Sequence, residues 1–241
     1  MKIKDRINKM VQVVLAACCL ASCDYLNVIP PAQPDFEDTM KDENATLGFL
    51  YSCYYGITYS NPIPYYSFEV SADETAQPPL FSTYPQQMAW GTLSPSYSAV
   101  WGSDDYNIWI PSYNHIGYIH YFLSLIDDLQ PTGVTQEDKE EYKAECYFLE
   151  AYYHFRVLQA FGPCPIIPAR VDPNITASDI PGRSHFDYCV DWIVDKLDRA
   201  AAVLPATRPN NELGRATSTI AKALKARVLL CAASCLLYTS P

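Results

Sequence analysis

Basic residues are scarce. In 241 residues, 17 Lys and Arg stand against 27 Asp and Glu, a formal charge of -10 and a pI near 4.7. A nucleic-acid binder needs a cationic footprint to neutralise phosphates, so that class is excluded. Glycine is scarce as well, 9 in all. None sits in a G-x-G-x-x-G or phosphate-loop pattern, and H-E-x-x-H and G-x-S-x-G are absent. No C-x-x-C pair exists, and the four histidines (His115, His120, His154, His185) lack metal-ligand spacing. His115 and His120 are five apart, which places them on different faces of a helix, and all four read as structural or surface residues. The sequence therefore offers no cofactor motif, no metal site and no catalytic constellation. Paired carboxylates for glycoside hydrolysis are the one enzymatic pattern that abundant Asp and Glu leave open. Long hydrophobic runs are missing too.

What remains is an ordinary globular balance, 49% apolar and 18% charged with a mean hydropathy of -0.09. It is unusual in carrying 19 Tyr and 19 Pro. Tyrosine-rich, weakly charged surfaces suit neutral polar ligands better than ions.

Residues 1–22 read as a secretory signal. Lys2, Lys4, Arg6 and Lys9 form a cationic start, and the apolar stretch Val11–Ser22 is too short to span a bilayer. Leu20-Ala21-Ser22-Cys23 has the pattern of a bacterial lipobox, in which the Cys23 thiol receives the lipid. Leu15-Ala16-Ala17-Cys18 fits less well because it leaves a very short apolar region. Two or three acyl chains anchor a protein firmly. With Cys18, Cys19 and Cys23 spent, the scattered Cys53, Cys146, Cys164, Cys189, Cys231 and Cys235 read mainly as small buried apolar residues.

Residues 23–45, with Pro30, Pro31 and Pro34, read as an extended lipidated tether. A first helix covers 46–58. Residues 59–106 carry Pro, Ser, Tyr and Trp with no helical or strand period, and a loop of that length is usually functional. Four helical patterns follow. Residues 108–129 place Ile116, Ile119, Phe122 and Ile126 at helical spacing. Thr135 with Asp138 opens a second helix to Phe161, with Tyr142, Cys146, Leu149, Tyr153 and Val157 along one stripe. Ser184 with Asp187 opens a third, with Val190, Ile193, Leu197 and Ala200. Thr217 opens the last, with Ile220, Leu224, Val228 and Cys231. The class is mostly α, and successive antiparallel pairs imply a helical-repeat scaffold.

These landmarks resemble the SusD/RagB outer-membrane lipoproteins of Bacteroidetes. The most specific stretch runs from Ala144-Glu145-Cys146-Tyr147 through Tyr153-His154-Phe155 to Phe161-Gly162 and Pro165-Ile166-Ile167. Gly214-Arg215-Ala216-Thr217 with Ala223–Leu230, and Trp109, Tyr113, Ile116 and Phe122-Leu123, carry the rest. Three positions depart from the family pattern, which usually has Asn at His120 and Arg at Tyr147 and Glu150. The resemblance implies a tetratricopeptide-like scaffold with ligand-binding loops, 46–215 forming the SusD-like N-terminal domain and 216–241 a truncated start of the next helical region. Family members are about twice this length, and residues 235–241 do not continue the pattern.

It also implies a non-enzymatic, lipid-anchored protein on the outer-membrane surface. Such a protein passes oligosaccharides to a SusC-type TonB-dependent transporter and has no nucleic-acid partner. A peptide ligand, an envelope glycoside hydrolase and a lid subunit without its own ligand are the alternatives. By placement after Asp73-Glu74 and before the Trp109 helix, the ligand-contact candidates are Asp73, Phe81, Tyr84, Gln86, Trp90 and Trp101. The competing expectation for Trp90 and Trp101 is that they peg the loop onto the helices.

Overall fold

The computed structural model describes residues 40–58, 90–92, 108–172 and 174–239. The lipid-anchor residue Cys23, the signal segment, nearly all of the tether and most of the 59–106 segment lie outside these residues. Five helices carry the fold: α1 (Glu43–Thr58), α2 (Trp109–Ile126), α3 (Gln136–Phe161), α4 (Phe186–Val203) and α5 (Ser218–Thr239). Among the described residues there is no strand, only an isolated bridge between Asp42 and Thr132.

Each helix start has a local cause. α1 begins at Glu43, so the tether ends earlier than its composition implies. The Asp42 carboxylate accepts from the Ala45 N–H at 2.9 Å, which satisfies one of the free donors of the first turn. At α3 the expected capping box is present, with Thr135 Oγ1 accepting from the Asp138 N–H and Asp138 from the Thr135 N–H. Thr217 accepts from the Ile220 N–H at the start of α5. α4 is different: its N-cap is His185, with no side-chain cap, rather than Ser184. Ser184 is held one residue upstream because its own N–H donates to the Cys164 carbonyl at 3.1 Å.

The helices alternate in direction. Glu43 and Lys41 exchange backbone hydrogen bonds with Thr132, so the start of α1 lies beside the chain that leaves α2. Lys143 on α3 pairs with Asp127 at 2.8 Å, and Trp109 meets Phe161 edge to face, which fixes α2 against α3. Lys225 on α5 pairs with Asp198 on α4. α3 packs against all the others and is buried along nearly every side. The expected stripes of α2, α3 and α4 are the observed core, with Ile119, Phe122, Cys146, Leu149, Ile193 and Leu197 sealed from solvent. Each such side chain contributes about 1.5–3 kcal/mol. On α5 the expectation is partly overturned: Ile220 is exposed, while Val228 of the expected stripe is buried together with Ala221 and Ala232, and Leu224 and Cys231 pack partly buried against the core.

α1 comes closest to α2 and α3 at Gly56. A Cβ there would fall 2.4 Å from His115 Cδ2 and 2.8 Å from Tyr153 Cε1. Tyr153 reaches across the same gap to donate to the Cys53 carbonyl at 2.7 Å.

Candidate binding surface

The segment 59–106 leaves the end of α1 and rejoins the fold at Ile108, beside the start of α2. Of the candidate contact residues only Trp90 is described. It occupies a turn with Gly91, whose φ of +66° is left-handed, and its ring is 55% exposed. Trp90 is thus an exposed aromatic and not a buried peg. Asp73, Phe81, Tyr84, Gln86 and Trp101 lie outside the described residues.

Below the junction, Trp109 is fixed from three sides. Its ring lies 5.2 Å from both Tyr113 and Phe161, and the Arg183 guanidinium sits 5.1 Å over it. Arg183 also donates to the Phe161 and Pro163 carbonyls, at 3.0 and 2.6 Å. Gly162, with φ +69°, turns the chain at the end of α3. Tyr113 donates to the Pro165 carbonyl at 2.7 Å. Burial, then the neighbouring Cys164 thiol, pushes the Tyr113 hydroxyl far above its ordinary pKa. The Phe161-Gly162-x-x-Pro165 landmark is therefore a joint that holds the Trp109 end of α2.

Two buried ionic clusters hold the scaffold. In the first, the fully buried Glu145 carboxylate is held by Arg215 and Arg208, and Glu141 and Glu212 complete the network. Tyr54 donates to the same carboxylate and accepts from the Ala216 N–H at 2.9 Å. The Gly214-Arg215-Ala216-Thr217 landmark thus carries a left-handed glycine (φ +101°), the central cation, a backbone donor to α1 and the cap of α5. A polar cavity of about 310 Å³ opens beside this network, lined by Glu43, Asp138, Tyr142, Thr207 and both arginines.

The second cluster gathers the three departures from the family pattern. Glu150 pairs with His120 at 2.8 Å and with Lys196 at 2.6 Å, and Tyr147 presents its ring to Lys196 at 4.9 Å and Arg199 at 4.1 Å. Glu150 joins His120 on α2 to Lys196 on α4, and Tyr147 presents its ring to the same lysine, so the three act together as scaffold positions. His154, next to them, bonds the Glu150 carbonyl through Nδ1 and is closed in by Trp192. Burial pushes its pKa down to about 4.

On the outside of the α1–α2 pair lies a surface that the sequence reading did not pick out. Tyr51, Tyr55 and Tyr118 are each about half exposed or more. The rings of Tyr55 and Tyr118 lie 6.4 and 5.7 Å from that of His115, which stacks on Tyr153. The available signal was compositional: Glu43 is the only charged residue of α1, and α2 has none. No group of His, Cys, Asp and Glu suited to a metal ion occurs among the described residues.

Comparison with known proteins agrees with the landmarks. Residues 66–230 match the SusD-like family model described as starch-binding and associating with the outer membrane. No curated protein matches the chain. Among solved structures, the protein BT4246 is 38% identical over 82% of this chain, with a TM-score of 0.65. A SusD-like protein of Bacteroides fragilis, BF3747, is 23% identical over 79% with a TM-score of 0.63, and a laminarin-binding SusD-like protein is 18% identical over 79% with 0.62. The chain spans 32%, 35% and 40% of these proteins' own lengths. By its matched residues and its mostly helical fold, the chain belongs to the SusD-like family.

Proposed function

We propose that this chain serves a cell-surface, outer-membrane lipoprotein that binds a neutral oligosaccharide and passes it to a SusC-type TonB-dependent transporter. Cys23 is the anchor, and the 59–106 segment, with Trp90 and the candidates around it, supplies ligand contacts. The match of residues 66–230 to a family described as starch-binding carries this reading. Sugars present apolar C–H faces and hydroxyl rims, which stack on Trp and Tyr and hydrogen-bond to amides and carboxylates. The exposed Trp90 side chain, in a turn with the left-handed Gly91, suits such a stack.

The test is retardation of the full chain in native gels that contain soluble starch, laminarin, galactomannan or xylan. At least one polysaccharide should slow the chain, and Trp90→Ala should weaken that effect several-fold without moving the thermal midpoint. Titration with a peptide library separates the alternative ligand class: saturable peptide binding with no polysaccharide retardation overturns the glycan reading. Hydrolysis products in the gel lanes would instead mark an enzyme.

A further inference from the structure

Four observations set the α1–α2 outer face apart. It is uncharged: beyond Glu43 neither helix has an Asp, Glu, Lys or Arg. In contrast, the exposed positions of the other three helices include Glu137, Glu140, Asp187, Asp191 and Lys222. It is aromatic in a particular way, because its exposed rings belong to tyrosines, with Ile110 the one large aliphatic side chain exposed on these two helices.

It also carries two glycines in mid-helix, Gly48 and Gly117. Glycine is the poorest helix former after proline, and neither glycine has the positive φ that would require it. A Cβ at either position would meet nothing within 4 Å, so no neighbour within the fold demands the missing side chain. Glycine is also used where something must approach a backbone closely.

Last, one ring nitrogen is left over beneath the face. His115 is 8% exposed and its Nδ1 has no partner. Its Cδ2–Nε2 edge faces Gly56, so Nδ1, the opposite vertex of the ring, points away from α1.

We infer that the outer face of the α1–α2 pair is a docking surface for a neutral oligosaccharide, additional to the 59–106 segment that links the two helices in sequence. Sugar rings stack on Tyr55 and Tyr118. The open spaces at Gly48 and Gly117 admit the hydroxyl rim to the backbone, and Asn114 and Ser52 offer uncharged hydrogen-bonding groups at exposed positions of the same helices. The absence of charge fits a ligand without charge. Uncharged, tyrosine-rich surface is also what protein contacts use, and the self-association arm of the test separates that occupant from a sugar. The inference rests on the glycan-binding reading.

The test uses the same polysaccharide gels with two variants. Tyr55→Ala/Tyr118→Ala removes both stacking rings and should weaken binding to the retarding polysaccharide about tenfold. Gly117→Arg fills the open space with a good helix former and should weaken binding similarly while keeping the thermal midpoint at or above that of the parent chain. It therefore reports on the face even if the tyrosine variant folds poorly. Retardation of the parent with both variants unchanged overturns this inference and leaves the glycan reading standing. No retardation of the parent by any of the four polysaccharides removes the glycan reading, and the inference with it. Unchanged gel binding together with a loss of self-association in sedimentation velocity would assign the face to a second copy of the chain, which also overturns the inference.

Discussion

Two exposed surfaces of this molecule are similarly apolar and chemically unlike. The α1–α2 face presents Tyr51, Tyr55 and Tyr118, while the free side of α5 presents Ile220, Leu229 and Leu230, the last 70% exposed. Tyrosine carries its own hydroxyl, so an exposed ring keeps a hydrogen bond to water while offering a flat apolar surface. Leucine has no such handle, and contiguous exposed aliphatic surface is the kind that proteins and hydrophobic dyes cover. What lies beneath the two also differs. Under the tyrosine face is a contact of rings, His115 on Tyr153; at the root of α5 is a buried ionic network centred on Glu145. Fractional exposure alone would rank the surfaces together, whereas residue chemistry separates them.

The strongest way to break the comparison is to cut the ionic root. Arg215→Ala leaves the buried Glu145 carboxylate short of its main cation and should destabilise the protein by about 3–5 kcal/mol. Denaturant melts check this, and a change under 1 kcal/mol would show that Arg208 alone holds the network. Acid comes next. Burial holds His154 near pKa 4 in the fold, against an ordinary value near 6.5. The unfolded chain therefore takes up a proton at higher pH than the folded chain does, and stability falls as pH drops from about 6.5 towards 4. The total is about 3 kcal/mol, fully retained above pH 6.5. His154→Phe should flatten that part of the stability–pH curve, and an unchanged slope would assign it to other groups.

The aliphatic side of α5 gives a smaller effect. Leu229→Lys/Leu230→Lys should reduce hydrophobic-dye fluorescence of the native protein several-fold and shift stability by no more than about 0.5 kcal/mol. The tyrosine variants should leave dye binding unchanged. Equal dye loss from both faces would abolish the distinction between them. The one gain comes from Gly117→Ala, which should stabilise the protein by a few tenths of a kcal/mol and no more than about 1 kcal/mol, read as a raised thermal midpoint.

Most of the fold was legible because its signals are local. Thr135 with Asp138, Gly162 with Pro163, and the 3.6-residue stripes of α2 to α4 each act within a few residues, and the observed helices follow them. Misreadings arose where a distant partner decides. Ser184 looks like a cap until its N–H is found on Cys164, twenty residues earlier. Ile220 fits the α5 stripe by spacing, but it is exposed, and the neighbouring Ala221 is buried in its stead. The landmark Arg215 could be recognised but not explained, because its partner Glu145 sits on another helix and the pairing exists only once α3 and α5 meet. Among the ligand-contact candidates, Trp90 was picked out by the aperiodic aromatic stretch, and its exposure runs against the expectation that it pegs the loop onto the helices. The α1–α2 tyrosines were missed because their neighbours in sequence have an unbroken apolar helical pattern that hides which ring faces outward.

The close approach at Gly56 constrains the order in which these positions can change. A methyl group there would overlap the His115 imidazole and press on the Tyr153 ring, so substitution at 56 is harmful on the present background. Shortening position 115 removes the obstruction at 2.4 Å but leaves Tyr153 Cε1 at 2.8 Å, so a side chain at 56 still requires the Tyr153 ring to move. The two sites are thus coupled: Gly56→Ala costs less on a His115→Ala background than on the present one, and its remaining cost there reports the Tyr153 contact alone.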